Sequence, residues 1–149
     1  MALFESEIQE LMYELLVGDS ILLAYLGGDS IDTRVRLSPS DLEPPKISTI
    51  KPAYIIIETR PAPAPIHLGS GVDEWTEQYC LHIFTKIENR DLRAAIEGRL
   101  RELLHRKSFI TACFIVYNVL EGGRDGVITE TGLFDYRYVV SFQFLSKDS

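Results

Sequence analysis

The sequence lacks the long apolar run that a membrane-spanning helix requires. Such a helix takes about 18 or more consecutive apolar residues, and no stretch of the chain approaches that length. The first residues also lack the basic segment of a signal peptide, because the acidic Glu5 and Glu7 come almost at once. We therefore expect a chain that does not enter a membrane.

Cysteine is scarce, with only Cys80 and Cys113 among 149 residues. Both lie on strand-like segments, which is typical of reduced, buried thiols in a cytosolic chain. A disulfide between them would need neighbouring strands and an oxidising compartment. We expect both thiols to be free and buried.

No catalytic or cofactor motif stands out. The histidines, His67, His82 and His105, do not have the close spacing of metal ligands. The glycines at 69 and 71 flank a serine but lack the strand-to-helix context of a nucleophile elbow. Cys80 and His82 share one strand face, where we expect a core thiol beside a half-exposed imidazole. The sequence therefore predicts no enzyme activity, no cofactor and no metal ligands.

Basic residues are absent from one part of the chain and concentrated in another. The net charge of −7 argues against a non-specific nucleic-acid binder. Residues 1–33 hold seven acidic residues and no Lys or Arg, whereas residues 89–107 hold six basic and three acidic residues. The simplest interpretation is two solvated helix faces. The alternative is a pair of complementary surfaces, within one chain or between copies.

Hydrophobic periodicity predicts one α+β domain over residues 1–149, with a mostly antiparallel sheet of about four to five strands. The N-terminal helix and a long central helix, Asn89 to Arg106, are expected to cover that sheet. The predicted strands are Arg34–Leu37, Ala53–Thr59, Glu74–Thr85, Phe114–Glu121 and Phe134–Phe144. The last of these alternates strictly, and its even positions from Phe134 to Phe144 form the predicted core face.

Local signals predict where the helices begin and end. Gly18 is placed to end the first helix, and Asp19 can cap a short second one that closes at Gly27. Asn89 is expected to cap the central helix. His105 is expected to interact with the carbonyls at its C-terminus.

Two segments interrupt the regular pattern. Arg60–Asp73 is rich in Pro and then in Gly, and a loop of this length is usually functional or disordered. Asp125-Gly126 is a strong signal for a tight turn. We expect Val127–Thr131 to run back from that turn as an arm, with a bulge at Gly132.

The order of these elements, together with four short stretches, resembles one family. The stretches are Leu26-Gly27-Gly28, the Ala-Tyr-Ile-Ile-Ile-Glu run at 53–58, Leu81–Thr85 and the helix segment Asp91–Leu104. In this pattern the chain resembles the tail-completion or tail-terminator proteins of long-tailed bacteriophages.

The resemblance implies a structural role in a virion. Proteins of this family form a ring, usually a homohexamer, on the head-proximal end of the tail tube, which stops tube polymerisation and joins the tail to the head. The implied partners are further copies of the chain, the tail tube protein and a head connector or stopper protein. DNA can pass through the ring lumen, but no sequence-specific nucleic acid and no membrane are implied. The implied location is the virion, after synthesis in the host cytoplasm.

The family has no catalytic residues to carry over, so the candidate contacts come from charge and loop position. They are Arg60, His67, Arg99, Arg101, Arg124, Asp125 and Arg137. The central-helix arginines are candidates for contacts between subunits, and the 60–73 and 122–132 segments for contacts with tail or head. Two alternatives stay open: a head-completion or neck connector protein of the same virion, and a small bacterial enzyme or ligand-binding domain.

Overall fold

The structure is a computed structural model that describes residues 6–28, 35–37, 47–48, 51–61, 66–67, 73–129 and 132–146. The elements in chain order are α1 (Glu7–Val17), α2 (Ser20–Leu26), β1 (Val35–Leu37), β2 (Ala53–Arg60), β3 (Ile66–His67), β4 (Asp73–Lys86), α3 (Arg90–Leu104), β5 (Phe109–Ile110), β6 (Phe114–Ile128) and β7 (Leu133–Ser146). None of the helices in the described ranges is long and apolar enough to cross a membrane.

The strands form one sheet in the order β1-β2-β4-β7-β6-β5, with β3 paired to β4. Only β1 and β2 run parallel; the other described pairs are antiparallel. The predicted α+β class is confirmed. The predicted strand number holds for the longer strands, and the sequence missed the two-residue strands β3 and β5.

The core lies between the helices and one face of the sheet. Alternation along β7 buries Tyr138, Val140, Phe142 and Phe144 on that face, as predicted. The remaining predicted core positions, Phe134 and Tyr136, are only half-buried. The helices contribute the apolar stripes opposite: Ile8, Met12, Leu16, Leu22, Leu23, Leu26, Ile96, Leu100 and Leu104. Burying each large side chain contributes about 1.5–3 kcal/mol, so this layer dominates the stability of the fold.

The ends of the two short helices follow the sequence signals. Gly18 ends α1, and the Asp19 carboxylate accepts a hydrogen bond from the Leu22 N–H at the start of α2. Gly27 ends α2 with φ of 75°, in the left-handed region that glycine adopts without steric cost.

The central helix differs from the prediction at both ends. Asn89 occupies the N-cap position, but its side chain makes no capping hydrogen bond, because its backbone (φ −84°, ψ 54°) is outside the extended region that a capping side chain needs. The His105 ring does not interact with the helix carbonyls as expected. Instead its Nδ1 accepts from the Glu121 N–H at 3.2 Å and joins the end of α3 to β6.

The predicted tight turn at Asp125-Gly126 is wrong. β6 continues through Gly122–Gly126 to Ile128, and two register shifts against β7 absorb the irregularity. The reversal comes later, where the Thr129 N–H donates to the Leu133 carbonyl at 2.8 Å. Gly132 lies in this reversal with φ of 81°, and its N–H donates to the Thr129 carbonyl at 3.0 Å, which is the arrangement of the glycine bulge expected at this position. The predicted arm is therefore partly strand, and its residues 130 and 131 lie outside the described residues.

Two further expectations need correction. Within the predicted 60–73 loop, β2 extends to Arg60, and β3 pairs His67 with Asp73. Residues 62–65 and 68–72 of that loop lie outside the described residues. Neither cysteine forms a disulfide in the described part of the structure, but only Cys80 is buried. Cys113 precedes β6, where it is exposed.

Candidate functional site

The predicted contact residues fall into separate places on the fold. Arg99 and Arg101 lie on α3, and Arg60 lies at the end of β2. Asp125 and Arg137 are register partners on β6 and β7, and Arg124 lies beside them. His67 is placed by its backbone pairing alone, since its side chain lies outside the described part of the structure.

Arg99 forms an ion pair with a carboxylate of its own chain. Its Nε and Nη2 donate to the two oxygens of Asp19 at 2.8 and 2.6 Å, and its Nη1 donates to Glu102 at 2.8 Å. The hydrogen bond from Arg99 lowers the pKa of Asp19, although partial burial works in the opposite direction. The complementary charges noted in the sequence therefore meet inside one chain at this position.

Arg101 and Arg124 converge on Glu97. Arg101 donates to the Oε1 atom of Glu97 at 2.9 Å, and Arg124 donates to the same atom. The hydroxyl of Tyr136 donates to the other carboxylate oxygen. One carboxylate on α3 thus holds the central helix to both β6 and β7.

A second carboxylate, Glu121, extends this network. It accepts from Arg101 Nε at 2.9 Å and from the buried Tyr138 hydroxyl at 2.8 Å. The hydrogen bond from Arg101 lowers the pKa of Glu121, while burial raises the pKa of Tyr138. Arg101 therefore joins α3 to β6, whereas Arg99 joins α3 to the start of α2.

The distal part of β6 presents an open edge. Residues 122–128 are all exposed, and β7 is their partner on one side. On the other side, β5 pairs only with Ile115 and Val116, and no strand of the described ranges lies beside residues 118–128. An unpaired strand edge offers backbone donors and acceptors to another chain. Ile128, with 59% of its surface exposed, adds an apolar side chain near the end of this edge.

The sheet face opposite the helices carries a polar cluster around His82. Its Nδ1 lies 3.0 and 3.1 Å from the two carboxylate oxygens of Asp135, and its Nε2 lies 3.1 Å from Glu58 Oε1. Burial alone would lower the pKa of His82, but hydrogen bonds with Asp135, Cys80 and Glu58 raise it to about 10. The imidazole is therefore cationic at neutral pH. It lies between two carboxylates that come from β2 and β7, the strands on either side of β4.

Sequence reasoning found half of this cluster. The alternation of β4 correctly placed Cys80 and His82 on one face. It missed Glu58 and Asp135, which come from β2 and β7, because strand register between distant segments is not visible in the sequence. The polarity of Glu58 at the end of an otherwise apolar run was the available signal.

The comparisons with known proteins identify relatives in fold. No family model and no curated protein matches the chain. A chain from a structure described as the virion of a native gene transfer agent particle is similar with a TM-score of 0.65 and 15% identity, over 90% of this chain and 91% of that chain. A second solved chain is similar with a TM-score of 0.52 and 13% identity, over 98% and 99% of the two chains. At these identities the likeness establishes a shared fold.

Proposed function

We propose that the chain is a structural protein of a phage-like virion. In this proposal it forms a homohexameric ring at the head-proximal end of the tail tube, ends tube polymerisation and joins the tail to the head. Its partners are other copies of itself, the tail tube protein and a head connector or stopper protein.

The fold likeness to a chain of a gene transfer agent virion is the observation that carries the proposal. That likeness extends over nearly the whole of both chains, so it concerns the complete fold rather than one common motif. The sequence pattern, made of the order of the predicted elements and four short stretches, points to the same class of protein. Fold alone does not determine function, and the agreement of the two gives the proposal its support.

The described surface offers candidates for the contacts of a ring. A ring requires two different patches on each subunit that fit one another. The open edge of β6 at 122–128, with Arg124 and Asp125, is one candidate patch. Arg60 and Arg137 remain further candidates, as does His67. Arg99 and Arg101 already bind carboxylates of their own chain, and so do Arg124 and Arg137. The ion pairs within the chain therefore do not favour any one of these four arginines as a subunit contact.

Microscopy combined with mass measurement tests the proposal. Purified protein alone and with purified tail tubes is imaged by negative stain, and its mass is determined by analytical ultracentrifugation. We expect rings with a central hole, either free or capping one end of each tube. A protein that forms no ring and binds no tube end would overturn the proposal.

A second binding assay separates this role from that of a head-completion protein. The chain is mixed in parallel with tail tubes and with DNA-filled capsids that lack tails. A tail terminator binds the tubes and does not bind the capsids. Binding only to the capsids would assign the chain to the head side of the junction.

A further inference from the structure

Glu58, Cys80 and His82 bring three different metal-ligating groups together on the sheet face opposite the helices. Glu58 and Cys80 are direct partners in the antiparallel register of β2 and β4. His82 follows Cys80 by two positions, and side chains two apart on a strand point to the same face. Among the described residues, this is the group whose ligand atoms lie close enough to share one ion.

We propose that these three residues bind a divalent transition metal ion of the zinc type. Their ligand atoms all lie within 4.8 Å of one another, and the pair formed by His82 Nε2 and Glu58 Oε1 is 3.1 Å apart. Ligands of a tetrahedral zinc ion lie at about 2.0–2.3 Å from the metal, and so about 3.3–3.7 Å from each other. Because no pair is farther apart than 4.8 Å, closing the widest pair by at most about 1 Å brings the three ligand atoms to this spacing.

Asp135 supplies the outer support that such sites use. Its carboxylate contacts Nδ1 of His82 at 3.0 and 3.1 Å, which leaves Nε2 directed at Glu58. Histidine ligands almost always donate their second N–H to a carboxylate or carbonyl, which fixes the ring and strengthens it as a ligand. The ion would take the place of the proton on Nε2 and of the thiol proton, both of which pass to solvent.

The donor set selects the class of ion. A thiolate and an imidazole favour zinc and similar metals, whereas calcium and magnesium prefer oxygen ligands. The buried Cys80 thiol and the largely buried His82 ring form the inner side of the site. The Glu58 side chain, 44% exposed, gives the ion access from solvent. Three protein ligands leave one tetrahedral position for water.

Cobalt(II) is a suitable probe because its bonds to thiolate absorb in the near ultraviolet. The full-length protein is treated with a chelator, titrated with Co²⁺ and then with Zn²⁺. We expect a saturable thiolate-to-metal band at one ion per chain, which Zn²⁺ abolishes by displacement. Cys80→Ser should remove the band, and Cys113→Ser, at the exposed second cysteine, should keep it. Absence of the band in the wild type, or its loss in Cys113→Ser only, would overturn the proposal.

Two variants that leave the thiol in place decide the matter if Cys80→Ser does not fold. Glu58→Gln removes a ligand at a half-exposed position, and we expect it to bind Zn²⁺ at least about tenfold more weakly. Asp135→Asn should weaken binding by about 10–100-fold. Calorimetry measures both affinities, and circular dichroism checks the fold. Wild-type affinity in Glu58→Gln would show that the ion is not held by this cluster.

Discussion

Arg99 and Asp19, which lie 80 residues apart in the sequence, form a two-pronged ion pair. The same Asp19 carboxylate accepts from the Leu22 N–H and so also caps α2. One side chain therefore begins the second helix and fixes it to the central helix. At this pair, an acidic residue of the N-terminal region and a basic residue of the central helix meet within the chain.

Substitution of Asp19 should separate the two roles. Asp19→Ala removes both the helix cap and the ion pair, and we expect it to lower the free energy of unfolding by about 2 kcal/mol. Asp19→Asn keeps a capping oxygen and loses the charge, so we expect it to lower the free energy of unfolding by about 1 kcal/mol. Urea unfolding measures both values. Equal losses in the two variants would show that the cap contributes nothing.

The ion pair should also make stability depend on pH. Because Arg99 lowers the pKa of Asp19 below its ordinary value of 3.8, the folded state favours the ionised carboxylate. This stabilisation is fully present above the unfolded pKa and is lost as the pH falls through the folded pKa. In urea unfolding between about pH 6 and pH 2.5, the advantage of the wild type over Asp19→Asn should shrink towards the acidic end. A constant advantage would contradict this.

The charge pattern in the sequence predicted complementary surfaces but not where they meet. Composition shows that residues 1–33 are acidic and residues 89–107 basic. It does not show that Asp19 meets Arg99, because that contact follows from packing α2 against α3. The same limit applies to His82, whose face was predicted correctly from alternation. Its partners Glu58 and Asp135 depend on strand register, which is set by the whole sheet.

Gly126 allows the ring of Phe134 to lie against the backbone of β6. A Cβ at Gly126 would overlap this ring, which Arg93 covers at 4.1 Å from the ring centroid. We expect Gly126→Ala to destabilise the protein by about 1–3 kcal/mol, because the ring must move. Gly123→Ala is the matched control, since a Cβ there meets nothing within 4 Å. Thermal unfolding of the two variants provides the comparison, and equal melting temperatures would refute the packing argument.

The wrong prediction of a tight turn also concerns Gly126. Asp125-Gly126 is a good turn in isolation, because local preference is all that a short segment reveals. In the structure, the long strand β7 pairs with β6 as far as Ile128 of β6. The backbone hydrogen bonds gained along that length outweigh the preference of two residues for a turn. Gly126 serves the close approach of an aromatic ring instead.

Glu97 should control how firmly the distal part of β6 is held. Glu97→Ala leaves Arg101, Arg124 and Tyr136 without their shared acceptor, and the expected cost is about 1–3 kcal/mol. Amide hydrogen exchange at residues 122–128 should become faster. Glu102→Ala removes a glutamate of the same helix that is 70% exposed, and it should leave this exchange unchanged. Unchanged exchange in both variants would mean that pairing with β7 alone holds the edge.

The proposed ring leads to a prediction about Ile128 at the end of the open β6 edge. If this edge meets a neighbouring subunit, Ile128 loses its exposed surface there, and burial of such a side chain contributes about 1.5–3 kcal/mol. Ile128→Glu should then weaken assembly by about ten- to a hundredfold in analytical ultracentrifugation. Ile87→Glu is the matched control, because Ile87 is a similarly exposed isoleucine, at 43%, in the turn before α3. Both side chains are exposed in the monomer, so both variants should fold with wild-type circular dichroism. If the wild type and both variants assemble equally well, the subunit contact lies away from this edge. If the wild type itself does not assemble, the result counts against the ring.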